Sequence, residues 1–331
     1  MNLIELYDSL SYPDGDEKVF NAIQIPEYSN FRIAIDIEGN PIILLSVSNA
    51  IKNIALKNFR LKYLQLEQNI ECKISENGKS SFQTFTVITF TSTDRNLQEY
   101  FLRISETLVK TLSNNPTQQQ VIESLNKFVE VFRALTDTPT NTVHGLWTEL
   151  FLIDNSKNPQ TLLNYWHNIP EEKFDFNSVE EKIEVKSNSN FEREHTFSSE
   201  QLNPPVGSQV LVASIFVRQN NAGQNIQQLV DSITIKINYN FELIDKLNNI
   251  VCKTLGNSLE QSIKIKFDYN IARESLLFYR HQDISKIEEV HIPNAVSEVR
   301  YKSDLSTLKH IDLTTLENRG DLFSSILPTH Q

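Results

Sequence analysis

The sequence predicts a mixed α/β protein in which a β-rich part precedes a core of alternating helices and strands. Two observations lead to this prediction. Side chains alternate between apolar and polar through much of the first third, and residues 116–236 have the order helix, strand, strand, short helix, strand, helix. A length of 331 residues exceeds the roughly 100–200 residues of one domain. We therefore expect a β-rich N-terminal domain at 1–115, an α/β core at 116–236 and a smaller α+β C-terminal region at 237–331.

The N-terminal part is predicted to be an antiparallel sheet with one or two helices. Its strands, recognised by alternation with a period of two, are predicted at 31–38, 42–45, 70–74 and 82–90. Asn77-Gly78, between the last two strands, is a strong signal for a hairpin turn. A helix is predicted to follow at 96–112.

The core begins with apolar residues spaced at the helical period, which predict an amphipathic helix: Val121, Leu125, Phe128, Phe132 and Leu135. The later elements are predicted as a helix at 144–154, strands at 175–176, 182–186 and 209–217, a short helix at 198–202, helices at 225–235 and 241–255, and a strand at 262–267. This order is typical of a sheet that is covered by helices.

Composition argues against several classes of protein. The chain has 42 acidic and 31 basic side chains, a net charge of −11, which disfavours DNA binding through the overall charge. Cys72 and Cys252 are isolated, so neither a disulfide framework nor a zinc site is predicted. The first residues lack the basic start and apolar stretch of a signal peptide, and no run of ~18 apolar residues could span a membrane. We therefore expect a cytoplasmic protein with no membrane partner.

An acidic residue, Glu149, lies within an almost wholly apolar helix predicted around 145–153. At 100° per residue it falls between Leu152 and Ile153 around the helix axis. An unpaired buried carboxylate is costly, so Glu149 needs a cation, a partner or a water-filled cleft. The helix alone favours a simpler alternative, a glutamate at the helix edge that reaches solvent or pairs with Lys or Arg.

Two further acids and a lysine are spaced so that they can converge. Asp175 lies between two phenylalanines, and Glu184-Val185-Lys186 begins nine residues later. Residues two apart in a strand share a face, so Glu184 and Lys186 point the same way. If Asp175 lies at the end of the adjacent strand, two carboxylates and the Val185 carbonyl offer hard oxygen ligands that suit Mg²⁺. Lys186 would then orient or deprotonate a water, and Glu149 would add a further ligand.

The E-x-K pattern alone is weak evidence, because Glu71-Cys72-Lys73 repeats it on another alternating strand. That copy has no comparable acid about ten residues upstream, and we interpret it as a solvated strand face. The copy at Glu184 differs because two acids precede it along the chain: first Glu149 in an apolar helix, then the lone Asp175.

In this order and spacing, Glu149, Asp175 and Glu184-x-Lys186 resemble the PD-(D/E)xK nuclease superfamily, which includes many restriction endonucleases. The run from GLWTELFLI through FDF and KIEVKS to EHTFSSEQL is similar to a bacterial PD-(D/E)xK family encoded in restriction and phage-defence gene clusters. There the family accompanies a DNA methyltransferase, a helicase-like Z1 protein and an Hsp90-like ATPase. The resemblance is strongest over 143–232, and Phe174 stands where the family name has its proline.

The resemblance implies a restriction-endonuclease-like core with a central mixed sheet flanked by helices. It also implies that Asp175, Glu184, the backbone of Val185 and Glu149 bind Mg²⁺, for which Mn²⁺ can substitute. With this context, Glu149 is interpreted as a metal-site residue. The catalytic set implied by the resemblance is Lys186, Glu184, Asp175, Glu149 and Gln201.

A second set follows the E-x-K strand, where the family pattern has a histidine and then a Gln-Leu pair. Here these are His195 and Gln201-Leu202. Gln201 is expected on a short helix that Ser198 or Ser199 caps, with its side chain facing the metal and the phosphate. The alternatives are a surface histidine and a surface glutamine.

Several basic residues are candidates for DNA contacts, and an ordinary surface role is the alternative for each. Arg193, for example, can contact phosphate or pair with Glu192 or Glu194. The candidates are His195, Arg193, Arg280, Arg300 and Lys302. Roles in packing, capping or solvation are predicted for His144, Trp147 and Trp166.

We therefore expect a Mg²⁺-dependent DNA endonuclease, a hydrolase of the type II-like restriction class that acts in phage defence. Its expected partners are DNA, a second copy of the chain, and the methyltransferase, helicase-like and ATPase proteins of the same cluster. One alternative is a non-catalytic DNA-recognition or assembly subunit that retains the nuclease fold, and another is an RNA nuclease. The net charge of −11 requires that DNA binding use a confined basic face, a dimer cleft or a partner subunit.

Overall fold

The computed structural model describes residues 2–14, 19–46, 58–76, 79–112, 116–135, 143–168, 172–316 and 319–326. The chain divides into two compact units, Met1–Asp137 and Thr138–Gln331. No helix in the described ranges combines the length and the apolar character that crossing a membrane requires.

The first unit is an antiparallel sheet with helices packed against it. The sheet has six strands in the order β1-β2-β3-β6-β5-β4. Its strands are β1 (Asn21–Ile25), β2 (Tyr28–Ile35), β3 (Pro41–Ser46), β4 (Phe59–Arg60), β5 (Leu64–Glu76) and β6 (Lys79–Phe90). Its helices are α1 (Leu3–Asp8), α2 (Arg95–Thr111) and α3 (Gln118–Ala134). The β-rich N-terminal prediction is therefore confirmed, while Asn77-Gly78 lies outside the described residues.

Helix α3 belongs to this first unit because its aromatic side chains pack on the sheet and on α2. The Phe132 ring lies 5.6 Å from the ring of Phe90 in β6, and Phe128 lies 6.0 Å from Phe101 in α2. The compact units divide after α3. A division into three separately folding domains stays a prediction.

The second unit contains every element around the predicted carboxylates. Its helices are α4 (Val143–Asp154), α5 (Pro159–Tyr165), α6 (Ser199–Leu202), α7 (Ile226–Lys236), α8 (Phe241–Leu255), α9 (Leu259–Ser262), α10 (Tyr269–Ser275) and α11 (Asp321–Ser325). Its strands are β7 (Phe176–Asn177), β8 (Glu181–Asn188), β9 (Glu194–Ser198), β10 (Gln209–Phe216), β11 (Gln219–Asn225), β12 (Lys266–Phe267), β13 (Leu277–Arg280) and β14 (Arg300–Asp304).

A mixed four-stranded sheet, in the order β13-β10-β8-β7, forms the centre of this unit. Strands β8 and β10 run parallel, whereas β7 and β13 are antiparallel to their neighbours. Helix α4 packs on β8 and on α7, and α10 packs on β10. The predicted mixed sheet with flanking helices is therefore confirmed. Strand β13, from the C-terminal region, completes this sheet.

The prediction of a strand at 262–267 is wrong for most of these residues. Ser262 ends α9, and the Ile263 amide donates to the Leu259 carbonyl as the next helical residue would. Leu259 and Ile263 are both buried, four residues apart on one helical face. Alternation of Ile and Lys suggested a strand, but burial of this i, i+4 pair decides the local structure and leaves only β12 extended.

Candidate metal centre

Strand β8 presents Glu184 and Lys186 on one face of the sheet. In the parallel register with β10, Glu184 lies beside Val212 and Lys186 beside Ser214. The Lys186 ammonium lies 2.7 Å from Glu184 Oε1. Glu184 is only 4% exposed, while Lys186 is half-buried and its ammonium lies 5.2 Å from the centre of the Phe197 ring. The shared face that the E-x-K spacing predicts is therefore present, and it holds a short ion pair.

Asp175 lies next to Glu184 because β7 is antiparallel to β8. Phe176 pairs with Ile183, so Asp175, the preceding residue, comes opposite Glu184. The Val185 amide donates to Asp175 Oδ2 over 2.6 Å. Because the N–H and C=O of one strand residue face the same edge, the Val185 carbonyl faces Asp175 as well. The structure thus brings together the two carboxylates and the carbonyl that the sequence predicts would converge.

Burial and mutual repulsion act on these acids. Burial raises the pKa of Asp175 well above its ordinary value, and the nearby charges of Glu184 and Glu149 raise it further. Burial also raises the pKa of Glu184, although the Lys186 ammonium opposes that rise. A cation placed among these oxygens would relieve the repulsion and favour the ionised forms.

Glu149 lies on α4 with 5% of its surface exposed, and its contacts are with aromatic side chains. Its Oε2 atom accepts from Trp166 Nε1 over 2.7 Å and lies 2.9 Å from His167 Nε2. It is therefore not the helix-edge glutamate of the alternative interpretation. Trp166 packs in the core as predicted, but it also donates a hydrogen bond to Glu149.

His167 is the residue of this site that sequence reasoning missed. Trp166 forms a β-bridge with Phe176, and the His167 amide donates to the Asp175 carbonyl over 2.9 Å. One ligand atom from each of Glu149, His167 and Asp175 lies within 4.8 Å of the others. Asn158 followed by Pro159 is a helix-start signal that could have found α5. No spacing in the sequence indicates that the segment after α5 returns to Asp175.

Gln201 lies at the site, as predicted, and it connects the E-x-K pair to α6. Its Oε1 accepts from the Ser198 amide at the start of the helix over 3.0 Å. Its Nε2 donates to Glu184 Oε1 over 2.6 Å, and Lys186 donates to its Oε1 over 3.3 Å. One amide thus fixes the helix start, the carboxylate and the ammonium together.

The side chains present fit a divalent cation. Among the described residues, Glu184 Oε2 and His167 Nδ1 are buried atoms with no hydrogen-bond partner. Buried polar atoms rarely lack a partner, and one explanation is an absent ion. Three carboxylates and a backbone carbonyl are the hard oxygen donors that Mg²⁺ and Mn²⁺ take.

The predicted DNA contacts occupy varied positions. His195 is buried with Nε2 2.7 Å from Ser214 Oγ, and burial lowers its pKa to about 4. Arg193 donates to the carbonyls of Ser214 and Ser275 rather than to the neighbouring glutamates, so its surface ion-pair interpretation is wrong. Arg280, Arg300 and Lys302 are exposed at the surface. Lys302 forms an ion pair with Glu194.

Three other residues bear on the sequence predictions. Glu71 and Lys73 are exposed on β5, so the second E-x-K copy is a solvated strand face as predicted. His144 lies near the start of α4 with its ring 5.1 Å from that of Phe267, so it packs rather than caps.

Comparison with known proteins gives one match. A family model with the description "Putative PD-(D/E)XK family member, (DUF4420)" matches residues 3–306, nearly the whole chain. The matched range includes Glu149, His167, Asp175, Glu184 and Lys186. A search of curated proteins and a search of solved structures returned no match.

Proposed function

Because this chain belongs to the PD-(D/E)XK family DUF4420, we propose that it is a divalent-metal-dependent DNA endonuclease that hydrolyses phosphodiester bonds. Membership of the family indicates a nuclease. The observation that supports the finer proposal is the arrangement of Asp175 and Glu184 on neighbouring strands, with the Lys186 ammonium 2.7 Å from Glu184.

Asp175, Glu184 and the Val185 carbonyl would hold the ion, and Glu149 would complete the site. Glu184 Oε2 is buried and has no hydrogen-bond partner in the described part of the chain. This oxygen is therefore free to bind the ion. Mg²⁺ is the ion expected for carboxylate and carbonyl ligands, with Mn²⁺ as its substitute. The ion would lower the pKa of a bound water and neutralise charge on the phosphate.

Lys186 would orient the attacking water and stabilise the negative charge that develops on the phosphate. Its ammonium lies on the same face as Glu184 and is half-buried. Gln201 holds this ammonium and the Glu184 carboxylate in fixed relation through two hydrogen bonds. We assign Gln201 a positioning role.

DNA is proposed as the substrate from the family resemblance, and a phage-defence role comes with it. With a net charge of −11, we expect weak and salt-sensitive DNA binding by the isolated chain. We propose that a second copy of the chain, or the methyltransferase, helicase-like and ATPase proteins of the cluster, strengthens that binding.

The test is cleavage of labelled DNA and labelled RNA by the full chain, alone and with the proteins of its gene cluster, in Mg²⁺, Mn²⁺ or EDTA. We expect DNA cleavage that needs the metal and that falls at least about a hundredfold in Glu184→Gln. Glu71→Gln changes the E-x-K copy on β5 and should leave the rate unchanged.

Three outcomes contradict the proposal in different ways. Cleavage of RNA alone would favour an RNA nuclease. Metal binding with no cleavage in any combination of partners would favour a non-catalytic subunit. Equal cleavage by wild type and Glu184→Gln would show that the site lies elsewhere.

A further inference from the structure

We propose that His167 is a nitrogen ligand of the metal, and that this ligand makes the centre bind Mn²⁺ in preference to Mg²⁺. The inference rests on the proposed function for the presence of a metal. His167 adds a nitrogen ligand that the set of Glu149, Asp175 and Glu184-x-Lys186 does not contain.

The position of the His167 ring is the first observation. The ring is 4% exposed and belongs to a segment that the Trp166–Phe176 bridge and the His167 amide tie to Asp175. Its ligand atom and those of Glu149 and Asp175 lie within 4.8 Å of one another. Donors on one ion at 2.0–2.3 Å are separated by about 3 to 4.6 Å, so small movements would suffice for all three to share an ion.

The hydrogen bonds of the ring are the second observation. Nε2 lies 2.9 Å from Glu149 Oε2, whereas Nδ1 is buried without a partner among the residues that the structure describes. A distance of 2.9 Å is also about the separation of two neighbouring donors on one ion, so Nε2 and Glu149 Oε2 can share the ion, with the ring proton on Nδ1.

The backbone around His167 is held firmly enough to present a ligand. The Trp166 carbonyl accepts from Lys246 Nζ over 2.6 Å, and the Trp166 amide donates to the Leu162 carbonyl. The Trp166 indole donates to Glu149 on the same Oε2 atom that His167 contacts. Since Trp166 already orients that carboxylate, orientation of Glu149 alone does not require a histidine beside it.

The chemistry of the added donor determines the metal preference. Mg²⁺ strongly favours oxygen ligands and keeps its waters, whereas imidazole nitrogen suits the transition metals. An oxygen set with one imidazole therefore binds Mn²⁺ more tightly than an oxygen set alone, while Mg²⁺ gains little.

The experiment is electron spin-echo envelope modulation on Mn²⁺ bound to the full chain, with Mn²⁺ and Mg²⁺ affinities measured by titration. We expect a ¹⁴N coupling from a directly bound imidazole, and its replacement by a ¹⁵N pattern when the protein is labelled with ¹⁵N-histidine. In His167→Gln the coupling should vanish, and Mn²⁺ affinity should fall about tenfold or more while Mg²⁺ affinity changes less than about threefold. His144→Gln, on α4, is the matched control and should keep the coupling.

The outcomes separate this inference from the proposed function. Mn²⁺ bound to the wild type without a ¹⁴N coupling would overturn the ligand role of His167 and leave it as a residue that orients Glu149. A coupling that survives in His167→Gln would also overturn it. No binding of Mn²⁺ or Mg²⁺ to the wild type would overturn the proposed metal centre itself. If His167→Gln does not fold, His167→Asn serves in its place, and a wild-type spectrum without the coupling overturns the inference in either case.

Discussion

Asp175 destabilises the folded protein when it is ionised and no metal is bound. Burial, with help from the charges of Glu184 and Glu149, raises its pKa well above the ordinary value. A carboxyl whose pKa rises on folding holds its proton more tightly in the folded state than in the unfolded state. Folding stability is therefore lost as the pH rises from the ordinary pKa through the raised one. This electrostatic destabilisation is confined to the site, and the proposed cation would remove it.

This electrostatic cost predicts that Asp175→Asn raises the melting temperature at pH 8 in EDTA. Asn keeps an oxygen for the Val185 amide and removes the charge. Because ~1 kcal/mol shifts Tm by about 2–4 °C in a domain of 150–250 residues, the size range of the unit Thr138–Gln331 that holds Asp175, a gain of a few degrees is expected for that unit. The gain should shrink as the pH falls through the raised pKa, and circular dichroism at several pH values measures it.

Asp268 provides the control, because it caps α10 and hydrogen bonds lower its pKa. Asn caps a helix as well as Asp does, but the lowered pKa means that the ionised form stabilises the fold at pH 8, so Asp268→Asn should not raise Tm there and should lower it slightly. A lower Tm for Asp175→Asn at pH 8, or a gain that does not depend on pH, would contradict the electrostatic account.

At this scale the two-residue period of a strand predicted the shared face of Glu184 and Lys186 and, with the position of Asp175, the convergence of two carboxylates, whereas Glu149 was assigned to the site only through the family resemblance. The sequence did not predict His167. The position of His167 depends on the bridge between Trp166 and Phe176, a tertiary contact that no local pattern encodes. It did not predict the buried contacts of Arg193 for the same reason.

At the scale of elements, the end of α5 determines where Trp166 and His167 lie. Lys246 on α8 donates to the carbonyls of Asn164 and Trp166 over 3.1 and 2.6 Å. Without Lys246, these two carbonyls would have no hydrogen-bond donor. Carbonyls at a helix end need such partners. The α5–α8 contact therefore supports the candidate metal centre without touching it.

We predict that Lys246→Met destabilises the protein by about 1–3 kcal/mol, the cost of leaving such groups unpaired. Met retains most of the apolar stem, so the lost ammonium is the main change. Urea unfolding measures the stability, and hydrogen exchange should show lower protection of the Trp166 and His167 amides.

Lys253→Met, at an exposed position of the same helix, is the matched control. It should stay within about 0.5 kcal/mol of the wild type and leave both amides protected. Equal effects of the two substitutions would show that Lys246 has no special role in holding this segment.

The sequence predicted long helices well and short irregular elements poorly. Helices α4 and α8 have clear apolar patterns, and their observed bounds lie within a residue or so of the predicted ones. The segment 262–267 has the alternation of a strand, yet contacts between Leu259 and the residues that follow decide its structure. Burial of one i, i+4 pair outweighs such a short pattern.

At the scale of the whole molecule, an E-x-K pattern at Glu71 in the first unit can be compared with the one at Glu184 in the second. Glu71 and Lys73 lie exposed on β5 of the first unit. Glu184 is buried on β8 of the second unit, beside Asp175 and in contact with Gln201. The same three-residue pattern therefore exists in two environments, and only the second offers buried acids and an ammonium together. This contrast supplies a control within one chain.

The most direct measurement is single-turnover cleavage of labelled DNA by wild type, Lys186→Met and Lys73→Met, with Mn²⁺ or Mg²⁺ at saturation. If Lys186 orients the attacking water and stabilises the phosphate, its loss should slow cleavage by about 10²–10⁴-fold. Lys73→Met should cleave within about twofold of wild type, because Lys73 lies on a solvated strand face. Cleavage by Lys186→Met at the wild-type rate would contradict the assignment of this site as the nuclease centre.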